Sequence, residues 1–480
     1  MATLSDHRGL RWLTLSALYF AQGVPWGFIS VGYVVLLADL GLDATAIGAA
    51  MGLAYLPWSF KILWGPLLDA MPSLRIGRRR PFIIVAELLM GLTLLALLAV
   101  DPVTQLPMVS FLLFLHNTFA ALQDVAVDAL AVDILDEEER GTANALMWAG
   151  KSLGVVFGGG GGTLVAKYTS WSTLFVAMAV IIWLIMLLPL VLRERPLRDD
   201  DEAVSTELLK LGVFLGPFLL VGGVMYGLSV LEGWLGDHWA APLVSVAQPF
   251  AAVGGALLGW PLVDRRGFDA MRASFSFPTP WWALLAGILT PAGYAMIGPA
   301  MSKLVRADLG LSEERIAFLS GVVDPAAGVA GALVGGVVAD RLGVKRSIGL
   351  FMGAMAAMLA LWGGTEAQWG VFTWLVVWTA LFQGLVNGYN AGSLGMYMSV
   401  SNPRIGATHF AVYMAATNLT YAWTAPVGGL IADNLGFPAL FAIAGGLQLL
   451  TIVLLLPLDL EAAKARWTSA GSADDRPREL

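Results

Sequence analysis

The stretch His116–Asp133, HNTFAALQDVAVDALAVD, sets acids and amides inside an apolar run long enough to cross a bilayer. It carries Asn117, Gln123, Asp124, Asp128 and Asp133. At about 100° per residue, Asn117, Asp124 and Asp128 fall within about 40° of one another and share one helix face. A carboxylate in hydrocarbon costs several kcal/mol unless it meets a partner or a wet cavity. Such a face is expected to line the path of a solute, with an acid free to take or release a proton.

Cations at matching depth support this reading. The short loop DEEER separates this stretch from the next apolar one. Counted at about 1.5 Å per residue from that loop, Asp124 and Lys151 each lie about 16 Å into the membrane. They can meet if their helices are neighbours. By the same count Lys61 and Glu87 each lie about 10–12 Å from the loop MPSLRIGRRR. Burial demands such pairs. They are either structural, or one carboxylate titrates during transport. Burial favours the protonated acid and a nearby ammonium favours the ionised one, so the balance shifts with conformation. With Asp124 set against Lys151, Asp128 has no obvious basic partner in the sequence and is the better proton carrier. Asp133 lies near the membrane edge.

Further along, Asp324 precedes Pro325 inside an apolar segment, either as a coupling or substrate group or as a cap at a helix break. Gln383, Asn387 and Asn390 share a face at i, i+4 and i+7 and either bind a polar solute or hold helices together. Gln22 and the aromatics Trp26, Tyr55, Trp58, Trp148, Tyr389 and Tyr413 are candidates for a cavity wall that stacks on a sugar or base. Lipid contact is the alternative for any one of the rings. Asp69 with Arg75, Arg78, Arg79 and Arg80, and again Asp340 and Arg341 with Lys345 and Arg346, form a membrane-edge acid followed by a basic loop. This pattern is expected to gate the cytoplasmic side, or only to keep the loop inside.

Other chemistries find no support. The run Gly158–Gly162 lacks the lysine and the strand–helix setting of a phosphate loop, so close packing or a hinge is expected. His7, His116, His238 and His409 are dispersed, and the chain has no cysteine, so no metal site or cofactor is expected. No nucleophile with a convincing base argues for an enzyme, and no nucleic-acid partner is expected.

The elements that carry these residues follow from composition. The 480 residues are 58% hydrophobic and 13% charged, with mean hydropathy +0.74; soluble chains carry about 25% charged residues. This is the composition of an all-α polytopic membrane protein. The polar lead MATLSDHRGLR runs into a long apolar stretch without a small-residue cleavage site, so it is read as a first span rather than a signal. An N-terminal half over residues 1–192 and a C-terminal half over 281–460 each read as six spans. Residues 193–280 read as polar linkers around an extra pair of spans, at Leu211–Leu231 and Pro242–Val263. The total is about 14 spans. Residues 461–480 read as a disordered tail. The halves repeat one another: ADLGL recurs at Ala38–Leu42 and Ala307–Leu311, Pro57 falls within a residue of Pro325 in that register, and a basic loop follows each. With the N-terminus inside, about 22 basic residues are cytoplasmic and about four, Lys167, Lys303, Arg306 and Arg315, lie outside. Both termini are therefore expected on the cytoplasmic side. Two six-helix halves related by a repeat are the build of major facilitator transporters.

The chain resembles the AmpG-type muropeptide permeases, a major facilitator branch related to acetyl-coenzyme A transporters. The residues are FAQGVP at Phe20–Pro25, KILWGPLLDA at Lys61–Ala70, GRRRP at Gly77–Pro81, QDVAVDALAVDIL at Gln123–Leu135, EERGTANALMWAGKSLG at Glu138–Gly154, and ATHFAVYMAATN with APVGGL in Ala407–Leu430. The resemblance implies import of a muropeptide or related polar conjugate, driven by protons, across a bacterial inner membrane. It also implies site roles for Gln123, Asp124, Asp128, Lys61 and Asp69. Two features depart from the family: its additional spans follow the second half, and an arginine stands near the position of Lys151. The expectation is a monomeric proton-coupled transporter of a polar solute, working by alternating access. A non-transporting assembly factor for membrane pigment–protein complexes is the alternative, and a membrane enzyme acting on a lipid-linked substrate comes third.

Overall fold

The computed structural model describes residues 3–60, 64, 68, 76–102, 104–135, 139–194, 265–402, 406–463 and 465–466, with 247, 249–251, 253, 254, 257 and 261. The expected extra helix pair, apart from those scattered positions, lies outside the described residues, as do Lys61, Asp69, Arg75, most of the linker and the end of the tail.

Among the described residues the first half comprises α1 (Arg8–Asp39), α2 (Ala44–Tyr55), α3 (Arg80–Ala96), α4 (Leu106–Ile134), α5 (Arg140–Val156, continued as Gly162–Tyr168) and α6 (Trp171–Val191). A short helix, Arg265–Ser274, precedes α7 (Pro278–Asp308), α8 (Glu313–Leu342), α9 (Val344–Gly363), α10 (Phe372–Val400), α11 (Gly406–Leu435) and α12 (Phe437–Leu455). Eight of them, α1, α3, α4, α6, α7, α8, α9 and α12, are long and apolar enough to cross a membrane by length and composition.

Local chemistry sets the ends. Asp43 caps α2 by accepting from Ala46 N–H at 2.7 Å, and Ser170 caps α6 by accepting from Thr173 N–H at 3.1 Å. The repeated ADLGL is a helix exit in both places. Gly41 and Gly310 adopt φ of 78° and 62°, a region that glycine enters at little cost. Each of these helices also holds a wide turn, Phe28–Tyr33 in α1 and Leu304–Asp308 in α7.

The buried apolar side chains form two large clusters. One is drawn almost wholly from α1 to α6, the other almost wholly from α7 to α12. Within the first, α1 and α5 approach backbone to backbone. A Cβ added at Gly150, Gly154 or Gly158 would lie 2.3, 2.3 or 1.8 Å from the carbonyls of Ser16, Phe20 and Val24. A Cβ at Gly23 or Gly27 would meet Lys151 and Val155 carbonyls at 2.1 and 2.2 Å. Small residues at four-residue spacing permit this approach in lipid. Gly150, Gly154 and Gly158 are therefore packing positions, and with Gly23 they set Lys151 directly against α1. Gly331 and Gly335 of α8 pack in the same manner on Gly384 and Gly388 of α10.

Candidate functional site

The α4 stretch and Lys151 meet near the middle of the first half. Lys151 Nζ lies 3.7 Å from Asp124 Oδ1, with side-chain exposures of 17% and 4%. The ammonium also sits over three rings, Trp148 at 5.4 Å, Trp58 at 5.6 Å and Tyr19 at 5.8 Å from their centroids. One cation is thus shared between a carboxylate and three ring faces, each of which attracts positive charge. This arrangement offsets part of the cost of burying it.

Asp128, one turn further along α4, is exposed. It has a partner that sequence reasoning missed: the Tyr19 hydroxyl donates to its Oδ1. Tyr19 therefore touches both acids' surroundings, ringing Lys151 and bonding Asp128. On the same face Asn117 accepts from Trp58 Nε1 at 3.0 Å.

Behind this face lies a polar layer. Gln123 Nε2 donates to Glu87 Oε1 at 3.0 Å and to the Leu18 carbonyl at 3.2 Å. Glu87, Gln123 and Gln22 are fully buried. Among the described residues Glu87 Oε2, Gln123 Oε1, Asn117 Nδ2 and both amide atoms of Gln22 have no hydrogen-bond partner. Most buried polar atoms are bonded, so these are atoms that water or the polar groups of a solute can satisfy. The expected contact of Glu87 with Lys61 lies outside the described residues, and the described partner of Glu87 is an amide.

Trp26 joins this face to the second half through a row of rings. Its centroid is 5.0 Å from Trp58 and 5.6 Å from Tyr55. Tyr55 then meets Tyr421 of α11 at 6.0 Å, Tyr421 meets Tyr294 at 6.3 Å, and Tyr294 meets Tyr389 at 5.6 Å. Asn418 Nδ2 donates to the Trp58 carbonyl at 3.2 Å, tying α11 to the same wall.

The second-half candidates divide. Asp324 is half-buried and bonded to Gln383. Asn387 donates to the Gln383 carbonyl at 2.9 Å and faces Gly328 of α8. The Asp324–Gln383 bond joins α8 to α10, and Asp324 Oδ1 is a further buried atom without a hydrogen-bond partner. Asn390 is half-buried on α10. Tyr413 corrects an expectation. It is fully buried, its hydroxyl shares a 2.9 Å bond with His409 Nε2, and its ring stacks on Tyr397 at 5.3 Å. It belongs to the core of the second half and lines no open wall.

The basic loop is anchored inside its own half. Arg79 Nε bonds Asp133 Oδ2 at 2.8 Å, and its Nη1 bonds the Leu68 carbonyl at 3.0 Å. The backbone N–H groups of Arg78, Arg79 and Arg80 converge on the Glu194 carboxylate. Glu139 binds Arg11 at 2.7 Å and Arg8 at 3.3 Å. Asp340 and Arg341 are exposed at the end of α8. Glu194 and Glu139 were not singled out from the sequence, because their partners lie more than a hundred residues away. His116 shares Nδ1 with Thr93 and the Met90 carbonyl, so it is a packing residue. No group of metal-binding residues occurs among the described residues.

Two helical clusters meeting along an aromatic wall, with a carboxylate–ammonium pair buried in one of them, describe a membrane transporter. The chain belongs to the Major Facilitator Superfamily, whose sequence profile matches residues 15–281 and 283–476. It is a secondary transporter of that fold. Among relatives, the Escherichia coli anhydromuropeptide permease is 23% identical over 456 residues, covering 93% of this chain and 80% of that protein. The Rickettsia conorii transporter AmpG 4 is 24% identical over 456 residues, covering 92% of each. Among solved structures, a D-xylose–proton symporter aligns over 94% of this chain and 98% of its own with TM-score 0.61 at 13% identity. The nucleoside transporter NupG aligns over 93% and 98% with TM-score 0.57 at 14% identity.

Proposed function

We propose that the protein couples protons to the movement of a polar solute by alternating access, with Asp124, Lys151, Asp128 and Tyr19 as its coupling group. The observation that carries this reading is the shared cation. Lys151 lies 3.7 Å from Asp124, whereas the arginine pairs Arg11–Glu139 and Arg79–Asp133 close to 2.7 and 2.8 Å. A solute group that accepts from Lys151 competes with Asp124 for the same ammonium. An acid that loses its counter-charge in a low-dielectric site binds a proton more readily. Asp128, exposed and bonded to Tyr19, is placed to pass that proton between Asp124 and water.

The solute is a polar conjugate with at least one ring. Trp26, Tyr55 and Trp58 offer ring faces, and the Gln22 amide and Asn117 Nδ2 offer unpaired polar atoms, which suits a sugar or a nucleobase with hydroxyl or amide substituents. The E. coli relative is an anhydromuropeptide permease by name, and a muropeptide fragment combines these groups. The halves over residues 1–192 and 281–460 rock about the site, the membrane is a bacterial inner membrane, and both termini face the cytoplasm.

The experiment is uptake into proteoliposomes under an imposed pH gradient, with an anhydromuropeptide, D-xylose and a nucleoside as probes. The parent concentrates its solute, and Asp124→Asn and Asp128→Asn do not. Gradient-driven uptake that is unchanged in both variants would remove the coupling claim.

A further inference from the structure

Behind the coupling face, the surroundings of Glu87 are rich in oxygen and short of donors. Glu87 of α3 is fully buried, and its described hydrogen bond comes from Gln123 Nε2 of α4 at 3.0 Å. The second hydrogen on that nitrogen goes to the Leu18 carbonyl of α1 at 3.2 Å. Gln123 thus has no hydrogen left to give, and it ties α4 to both α3 and α1. Glu87 Oε2 and Gln123 Oε1 remain without a partner, and the free Nε2 of Gln22 reaches neither. Among the described residues Glu87 takes part in no salt bridge.

The first helix adds two more oxygens at this level. Gln22 follows Leu18 by one turn and Ala21 follows it by three residues. At about 100° per residue they stand about 40° to one side of Leu18 and about 60° to the other. Both are fully buried, and Gln22 Oε1 has no partner. Pro25 lies inside α1 and has no N–H, so the Ala21 carbonyl loses the donor that a helix supplies from four residues on. Carbonyls released from a membrane helix are ligands for sodium. The motif FAQGVP, Phe20–Pro25, therefore sets a side-chain oxygen and a main-chain oxygen on the buried face that Gln123 grips.

The balance of charge and donors selects the occupant. Water alone would leave the Glu87 charge in place, which is costly in a membrane interior. A proton on Glu87 could join Oε2 to Gln123 Oε1, but it would leave the two α1 oxygens bare. A divalent ion would bring a surplus charge and asks for more acids, and no group of three acids or histidines suited to one occurs among the described residues. A monovalent ion cancels the single charge and serves all four oxygens.

From this balance we infer that Glu87, Gln123, Gln22 and the Ala21 carbonyl form a binding site for a sodium ion, with water completing its shell. The ion neutralises Glu87 and fastens α1 to α3 and α4 directly behind Asp124. Gln22 gives it the amide oxygen and keeps Nε2 for the solute. The site does not depend on the proton-coupling reading, because it lies on another face of α4 and binds its ion without transport.

The test is binding of radioactive sodium to the purified full chain in lipid nanodiscs, read by scintillation proximity in choline chloride. The parent retains sodium that unlabelled sodium displaces and choline does not. Glu87→Gln loses the displaceable sodium. Gln22→Leu, which keeps the charge, weakens binding by about tenfold. Asp124→Asn binds as the parent does. A second measurement needs no variant: the parent melts at a higher temperature in sodium chloride than in choline chloride of equal strength, because an ion that binds only the folded chain stabilises it. A parent that retains no displaceable sodium, as a protonated Glu87 or one paired with Lys61 would give, would overturn the site. Equal melting in the two salts would do so too, as would binding that survives Glu87→Gln. Binding lost in Asp124→Asn would place the ion on the coupling pair and also overturn it. Uptake is measured separately, so a failure of proton coupling leaves sodium binding standing, and the reverse holds.

Discussion

Both halves bury rings, but among the described residues the buried charges and most of the buried amides belong to the first. In the first, Asp124, Glu87, Gln22, Gln123 and Asn117 are buried, and Lys151 is nearly so. In the second, Trp362, Trp378, Tyr389, Tyr397, Tyr413 and Phe441 are buried, and the carboxylate inside a span, Asp324, is half-buried. Yet the halves share a plan. Both open with a helix that holds a wide turn and leaves through ADLGL with a left-handed glycine. The repeat thus duplicates the frame, while the fully buried acids and most of the buried amides lie on one side of it. An asymmetric load suits a device in which one half carries the chemistry and the other supplies a wall to close against.

The largest effect expected from this contrast is at Lys151. Lys151→Met leaves Asp124 buried without its ammonium, which costs about 3 kcal/mol. Thermal melting in detergent should fall clearly and uptake should drop about a hundredfold. Adding Asp124→Asn should recover the melting temperature but not the uptake. A single variant as stable as the parent would mean that the pair is not holding the site.

Next is Asp128→Asn. Its carboxamide still accepts from Tyr19, so stability should stay within about 0.5 kcal/mol. Gradient-driven uptake should fall at least about tenfold while exchange of solute across the membrane persists. A loss of both would assign Asp128 to solute binding instead.

Gly154→Ala tests the frame beneath the site. The added methyl would press on the Phe20 carbonyl at 2.3 Å, and overpacking of this kind costs about 1–3 kcal/mol. Gly336→Ala, where nothing lies within 4 Å, is the control and should melt with the parent. The smallest effect is expected at Asp324→Asn. Its bond to Gln383 survives as an amide contact, so uptake should change by less than about threefold. A large loss there would break the contrast between the halves.

What the sequence made legible was whatever short loops and fixed periods could place. The Asp124–Lys151 contact followed from a depth count, because the loop between α4 and α5 is short and helix rise is constant. The ADLGL repeat located both helix exits. The glycine run announced close packing or a hinge, though not that Gly158 would meet α1. What stayed hidden depends on distant partners. Tyr19 and Asp128 are 109 residues apart, and nothing local in the first half points to Asp433, which accepts from Thr45 N–H across 388 residues. Tyr413 misled because a cavity face and a core face share one helical period, and only packing on His409 and Tyr397 tells them apart. The partners of Lys167 and Arg306 were hidden for the same reason, since Glu313, Glu314 and Asp39 reach them from the other half.

The coupling claim is tested most directly by one comparison in proteoliposomes. A single labelled solute is followed both under an imposed pH gradient and by counterflow without one, in the parent, Asp124→Asn and Asp128→Asn. The account predicts that the parent accumulates solute against its gradient, whereas both variants exchange it and accumulate none. Accumulation by both variants equal to that of the parent would contradict it.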